Sequence, residues 1–239
     1  MRYGIFGDVH SNLPALNAVI GALQAEEVDA YLCLGDIVGY GAEPKACIER
    51  IRELGTILVG GNHDWGVAGR LSLAYFNEAA KAAIEWTQTV LPPADLAWLG
   101  SLSLIRRVGD VTLAHSTLHE PEHFDYIFTP YDAYLSFRHL MTSVAFVGHS
   151  HVPVTFYDGN PIRFTTAEEI EFGDRRALSN VGSVGQPRDE NPDAAFGVYD
   201  TESRSLKLHR VPYDIEKTVA AILDAGLPPI LGERLRLGR

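Results

Sequence analysis

Four short apolar runs in this chain each stop at a polar cluster rich in glycine, carboxylate or histidine. Tyr3 to Phe6 precedes Gly7-Asp8-Val9-His10, and Tyr31 to Leu34 precedes Gly35-Asp36. Thr56 to Val59 precedes Gly60-Gly61-Asn62-His63-Asp64, and Val144 to Val147 precedes Gly148-His149-Ser150-His151. Runs so short and so apolar read as buried strands. Between the first three lie segments of helical spacing. Leu13 to Ala25 carries Leu16, Val19, Ile20 and Leu23 on one face behind an Asn12 and Pro14 start, and a second helix is expected from Pro44 to Leu54. Strands alternating with helices imply a parallel sheet with right-handed crossovers. In such sheets ligands gather outside the carboxyl ends of the strands, where these polar clusters fall.

The middle of the chain is more helical, with helices predicted over Ala74 to Val90 and Asp95 to Leu99 on either side of Pro92-Pro93. A hairpin over 102–108 and 111–115 turns at Gly109-Asp110 and delivers His115. An irregular stretch, Ser116 to Thr129, holds His119, His123, Phe124 and Tyr126, and a helix near Tyr131 to Met141 follows it. Short strands are expected at Thr155 to Tyr157, Ile162 to Thr165, Leu178 to Val181, Ala195 to Tyr199 and Ser205 to Val211, then a helix from Asp214 to Ala225 and a tail. No repeat or linker divides the chain, so one domain over 1–239 is expected, with a partly helical cover at about 65–140.

A net charge of -11 argues against sequence-independent nucleic-acid binding, which needs a basic face. An acidic chain can still hold a phosphorylated substrate once cations are bound. The two cysteines, Cys33 and Cys47, have no metal or redox spacing. The opening residues lack a signal-peptide pattern and no segment reaches membrane-spanning length, so a cytoplasmic location without membrane contact is expected.

The donors in the polar clusters are carboxylates, an asparagine and imidazoles. That mixture without thiolate suits borderline divalent ions, manganese first, with iron, zinc or nickel as alternatives, over calcium. Asp-x-His and His-x-His on an extended segment would aim two donors to the same side. Asp8, His10, Asp36, Asn62, His115, His149 and His151 exceed what one tetrahedral ion uses, so two ions are inferred. A bridging Asp36 would hold them roughly 3.5–4 Å apart.

The blocks Asp8-x-His10, Gly35-Asp36, Gly61-Asn62-His63-Asp64, His115 and Gly148-His149-x-His151 resemble those of the calcineurin-like metallophosphoesterase superfamily, in its bacterial and archaeal single-domain phosphodiesterase branch. The loop Asn180 to Arg188 and the stretch Val211-Pro212-Tyr213-Asp214 are similar to that branch as well. One departure is Ser116, where the family usually has glycine after the isolated histidine.

The resemblance implies a four-layer αββα fold, a two-sheet α/β sandwich flanked by helices. It implies one metal on Asp8, His10 and His151, the other on Asn62, His115 and His149, and Asp36 bridging. A metal-bridging hydroxide would attack a phosphodiester or phosphomonoester, His63 would protonate the leaving oxygen, and Asp64 would orient His63. The alternatives are a non-catalytic protein-binding scaffold of the same fold and a nuclease. Arg188, His119 and Tyr126 are candidate substrate contacts, with Arg188 open between phosphate binding and an ion pair with Asp189 or Glu190. His139 and His209 are read as structural. Substrate identity and oligomeric state are not legible.

Overall fold

The computed structural model describes all 239 residues. Strands β1 (Arg2–Phe6), β2 (Ala30–Cys33) and β3 (Ile57–Leu58) alternate with helices α1 (Leu13–Ala25) and α2 (Pro44–Glu53). Helices α3 (Asn62–Val67), α4 (Glu78–Val90) and α5 (Pro93–Ser101) come next, then the hairpin β4 (Ile105–Val108) and β5 (Val111–Ala114). Helix α6 (Pro130–Phe137) leads to β6 (Val144–Val147), β7 (Val154–Tyr157), β8 (Arg163–Thr165), β9 (Glu169–Glu171) and β10 (Ala177–Asn180). The long pair β11 (Ala194–Asp200) and β12 (Ser205–Val211) precedes α7 (Ile215–Asp224) and α8 (Ile230–Glu233).

These strands form two mixed six-stranded sheets, ordered β3-β2-β1-β11-β12-β9 and β4-β5-β6-β10-β7-β8. The parallel expectation holds for β1, β2 and β3. Outside that series, β11 joins β1 antiparallel. In the second sheet β5, β6 and β10 are mutually parallel. Both parallel sets therefore send their carboxyl ends toward one edge of the sandwich.

The period of two along each strand decides which layer a side chain enters. Tyr3 and Ile5 of β1, with Leu32 and Leu34 around β2, meet Val144 and Phe146 of β6 between the sheets. Phe6 and Cys33 face the other way, onto Leu16, Val19, Ile20 and Leu23 of α1. Ala145 and Val147 point outward from the second sheet, onto Phe137 and Leu140 at the end of α6. Strands buried on both faces read as continuous apolar runs, which is how they announced themselves in the sequence. Two sheets with helices outside each make the layered αββα sandwich.

Three elements were hidden. Helix α3 begins inside the polar cluster at Asn62, started by the Asp64 carboxylate accepting the Gly61 N–H at 2.9 Å. Strand β9 is Glu-Ile-Glu, with only Ile170 buried, and owes its form to pairing with β12. Helix α8 lies in the tail, where Leu231 and Leu235 pack on Tyr40. Within 65–140 the helices α4 and α5 are followed by β4 and β5, which belong to the second sheet. No helix is long and apolar enough to cross a membrane.

The loop after β10 closes the edge of the sandwich over the loop after β1. Val184 N–H donates to the Gly7 carbonyl at 3.0 Å, Gly185 N–H to the Asp8 carbonyl at 2.8 Å, and Ser183 Oγ to the same Asp8 oxygen at 2.9 Å. Asn12 caps α1 and also donates to the Gly185 carbonyl at 3.0 Å. At Gly185 a Cβ would overlap the Val9 carbonyl oxygen, so backbone meets backbone with no room to yield. Gly185→Ala is expected to destabilise the fold by about 1–3 kcal/mol through overpacking, read as a lower midpoint of chemical denaturation. An unchanged midpoint would contradict this contact.

Candidate metal centre

Each donor cluster follows a parallel strand end, and hydrogen bonds across the sheets lock the clusters together. His149 N–H donates to both Asp8 carboxylate oxygens, at 3.0 and 3.2 Å. His63 N–H donates to Asp36 Oδ1 at 2.8 Å, and Gly148 N–H to the His115 carbonyl at 2.9 Å. The donors do not sit on extended backbone, as the Asp-x-His and His-x-His spacing had implied. Asp8 (φ 51), His10 (φ 48), Asp36 (φ 50), His149 (φ 68) and His151 (φ 62) all adopt left-handed conformations. Such strain in residues other than glycine clusters at functional sites, where the surroundings over-determine it.

The donor atoms of Asp8, His10 and His151 lie within 4.8 Å of one another, as do those of Asp36, His115 and His149. A third overlapping set joins His10, Asp36 and His63. Asn62 Oδ1 is 3.1 Å from His115 Nε2. The structure thus gathers all seven donors named from the sequence, with His63 beside them.

Proton positions reveal what the cluster is built for. His10 Nδ1 contacts the Val38 carbonyl at 3.2 Å, His115 Nδ1 the Leu34 carbonyl at 2.8 Å, and His151 Nδ1 the Gln186 carbonyl at 2.5 Å. A carbonyl only accepts, so each Nδ1 carries a proton. On the neutral His10 and His151 rings this leaves the Nε2 lone pair facing inward, and on His115 it leaves Nε2 as the atom a metal would take once the proton it shares with Asp36 is released. His10 Nε2 and His151 Nε2 are 3.1 Å apart, both buried. In the neutral rings two lone pairs face each other there, a repulsive arrangement that a shared cation turns into ligation. The donor set fits divalent metal.

The electrostatics agree. Burial drives the His10 and His151 imidazoles well below their ordinary range, keeping them neutral. Burial also pulls His149 down to about 3, with the charge of His115 adding to it. Burial pushes the Asp8 carboxyl up to about 7, opposed by His115 and reinforced by Asp36. Burial would also raise Asp36, but His115 and His63 outweigh it and hold that carboxylate well below the usual range. His115, 3.3 Å from Asp36, is raised to about 9 because that charge outweighs its burial. Metal competes with the protons on Asp8 and His115. Affinity for a divalent ion is therefore expected to climb as pH rises from about 6 to about 9, with protons released on binding. Calorimetry near neutral pH in buffers of different ionisation enthalpy measures that release, and its absence would contradict the assignment.

His63 is buried, and its Nδ1 has no hydrogen-bond partner. Its ring packs against Tyr40 at 4.4 Å, His10 at 4.9 Å and Phe76 at 5.1 Å. Asp64 does not orient it. The Asp64 carboxylate accepts the N–H groups of Ile37 (2.9 Å), Val38 (3.2 Å) and Gly61 (2.9 Å), so it fixes the loop after Asp36. What shapes the His63 niche is Gly39 (φ 93), where a Cβ would overlap the His63 ring. Gly39→Ala is expected to displace the His63 ring while the bound metal stays, checked by a crystal structure of the variant beside elemental analysis.

A cavity of about 540 Å³ opens over the donors, lined by Asp36, Asn62, His63, His149 and His151 on its floor. Of the candidate substrate contacts, Arg188 and Tyr126 line it. His119 does not, facing His139 at 5.2 Å and Glu120 at 3.5 Å instead. Arg188 makes no ion pair with its neighbours, since Asp189 pairs with Arg210 and Glu190 with Arg239. Its guanidinium is held by Gln186 Oε1 at 2.9 Å and by the Tyr40 hydroxyl at 3.3 Å. Sequence reasoning missed Tyr40, Phe76 and Gln186. The only signal for Tyr40 was its place between Gly39 and Gly41, four residues after Asp36.

A two-sheet sandwich with this carboxylate and histidine centre at its parallel strand ends defines a class of metal-binding phosphoesterases. The family model for calcineurin-like phosphoesterases matches residues 1–153. The chain belongs to that family. It is 41% identical over 241 residues to an uncharacterised protein of Methanocaldococcus jannaschii, covering 98% of this chain and 97% of the relative. The crystal structure of a metallophosphoesterase from Sphaerobacter thermophilus superposes with a TM-score of 0.90 at 39% identity, covering 100% of this chain and 99% of that one. A hypothetical protein from Pyrococcus horikoshii shares the fold, with a TM-score of 0.81 at 20% identity over 100% of this chain and 98% of that one.

Proposed function

We propose that the protein is a phosphoric ester hydrolase that uses two divalent metal ions, manganese foremost, to cleave a small phosphodiester or phosphomonoester. The observation that carries this reading is the pair of inward, unprotonated imidazole nitrogens, His10 Nε2 and His151 Nε2 3.1 Å apart, meeting Asp8 and Asp36 below an open cavity. Asp8, His10 and His151 would hold one ion, Asn62, His115 and His149 the other, with Asp36 between them. When bound, the pair supplies Lewis acidity and a water acidified to near-neutral pKa.

The chain's own residues do the rest. Arg188, free of carboxylate partners and steered by Gln186 and Tyr40, meets a phosphoryl oxygen and stabilises the charge that develops on it. His63 lines the same cavity and donates a proton to the departing oxygen. Burial holds the metal-free His63 ring down at about 4, with Asp36 opposing and Arg188 adding to it. An anionic phosphoryl group beside the ring offsets that balance and favours the protonated form. The net charge of -11 supports a small substrate over a nucleic acid.

The test is hydrolysis of bis(p-nitrophenyl) phosphate and p-nitrophenyl phosphate by protein stripped with a chelator and reloaded with manganese. Turnover is expected only after reloading. Turnover that survives complete stripping, or none with any divalent ion, would refute the proposal.

A further inference from the structure

The cavity is roomy for a phosphoryl group alone. Its volume of about 540 Å³ lies within the range of roughly 300–1,000 Å³ typical of pockets for organic ligands. Much of its wall away from the donors is aromatic, with Tyr75, Phe76, Phe124 and Tyr126 among the lining residues. Tyr126 stacks on the His149 ring at 4.1 Å and 13°, and Phe128 stacks on Tyr126 at 5.1 Å and 16°. A column of three near-parallel rings thus runs outward from the metal donors.

This column is built, not a loose end. Tyr126 is 44% and Phe128 61% exposed, while Ile127 between them is buried in the core beneath α6. Alternation about a buried residue aims both rings to one side. Phe124 anchors the segment from a left-handed backbone (φ 54), edge-on to Trp65 and His115. The other end is tied by Phe128 N–H and Thr129 N–H donating to the Asp132 carboxylate at the start of α6. Two exposed rings held rigidly cost apolar exposure that packing does not recover. The cavity wall also includes Glu122, Asp125 and Asn77, which offer hydrogen-bonding groups.

We infer that Phe128, the outer ring of the column backed by Tyr126, forms a stacking platform for a planar aromatic ring carried with the substrate's phosphoryl group, so that the site selects nucleoside or aryl esters over aliphatic ones. This rests on the phosphoesterase reading above. The aromatic face stacks the ring without demanding one base, because every base or aryl group has a π-face.

Three phosphate esters test it with the manganese-loaded protein: a nucleoside ester, a benzyl ester and a cyclohexylmethyl ester, whose leaving alcohols are close in acidity. Wild type is expected to show lower KM for the nucleoside and benzyl esters than for the cyclohexylmethyl ester. Phe128→Ala should shrink that advantage by roughly 5- to 100-fold, the range for losing one stacking ring, and Phe128→Tyr should restore it. Phe128 is one ring removed from His149, so elemental analysis of the variant should show unchanged metal. A nucleoside advantage larger than the benzyl one assigns base recognition to Glu122 and Asp125, and equal advantages assign the ring alone. Wild type without preference for aromatic esters, or Phe128→Ala keeping the preference intact, overturns the platform.

Calorimetric binding of adenosine monophosphate against ribose phosphate separates this from failure of the phosphoesterase reading. If no ester turns over, that reading falls. The platform then survives only if adenosine monophosphate binds more tightly than ribose phosphate and Phe128→Ala removes the difference.

Discussion

Asp36→Asn is expected to abolish hydrolysis and to lower the bound divalent metal from two ions per chain to one or none. Asp36 is the carboxylate placed between the two donor sets: its Oδ2 lies 3.3 Å from His115 Nε2 and 3.7 Å from His10 Nε2. The amide has nearly the same shape and keeps an oxygen that can accept the His63 N–H now bonded to Oδ1 at 2.8 Å. The substitution therefore removes charge and leaves the loop in place. Loss of an outer partner of a metal ligand typically costs about 10–100-fold in affinity or activity, and loss of the shared ligand should exceed it. Elemental analysis and the aryl phosphodiester assay together check this. Full metal content with full activity would show that Asp36 is not shared.

His63→Gln is expected to act differently. Metal content should remain, while kcat falls by about 10²–10⁴, the usual contribution of a general acid. The loss should depend on the leaving group, being smallest for nitrophenyl esters, which depart without help, and largest for alkyl esters, which need the proton. A uniform loss across leaving groups would point to phosphoryl binding alone. His63 suits the proton role because it packs among Tyr40, His10 and Phe76 with an unpaired ring nitrogen, while its backbone reaches Asp36. Gly39→Ala approaches the same ring from behind, so the two variants should share a kinetic signature.

Much of this was legible from the chain alone because strands buried on both faces must be continuously apolar, and their ends must be where the polar donors begin. That logic places Asp8, Asp36, Asn62 and His149 just past strand ends, where the structure has them. It misjudged how the donors are aimed. Spacing by two implied an extended segment, whereas Asp8, His10, Asp36, His149 and His151 turn inward through left-handed backbone. Asp and His are enriched in such conformations without requiring them, so residue type is a weak mark, and hydrogen bonds from distant segments decide where they occur. His149 N–H on Asp8 and the Gly185 loop closing over Asp8 span 141 and 177 positions of the chain, and local reading cannot see them.

Asp64 was misread for a related reason. The resemblance implied that it orients His63, but a helix begins there and turns consecutive side chains apart, sending the Asp64 carboxylate to the N–H groups of Ile37 and Val38. His119 was grouped with Tyr126 by its place in an irregular stretch, and only the fold separates the residue that stacks on His149 from the one that faces His139. Arg188 has two readings in the sequence, and the fold decides between them because Arg210 and Arg239 occupy its acidic neighbours. Strand β9 and helix α8 carried too little local pattern, since partners far along the chain make them regular.

The central claim is that seven side chains from separate strand ends hold a pair of ions. Anomalous diffraction from crystals grown with manganese measures it most directly. Two peaks roughly 3.5–4 Å apart are predicted, the usual spacing of two-metal hydrolytic sites, one beside His10 and His151, the other beside His115 and His149, with Asp36 touching both. A single peak, or ions bound away from these residues, would contradict the account.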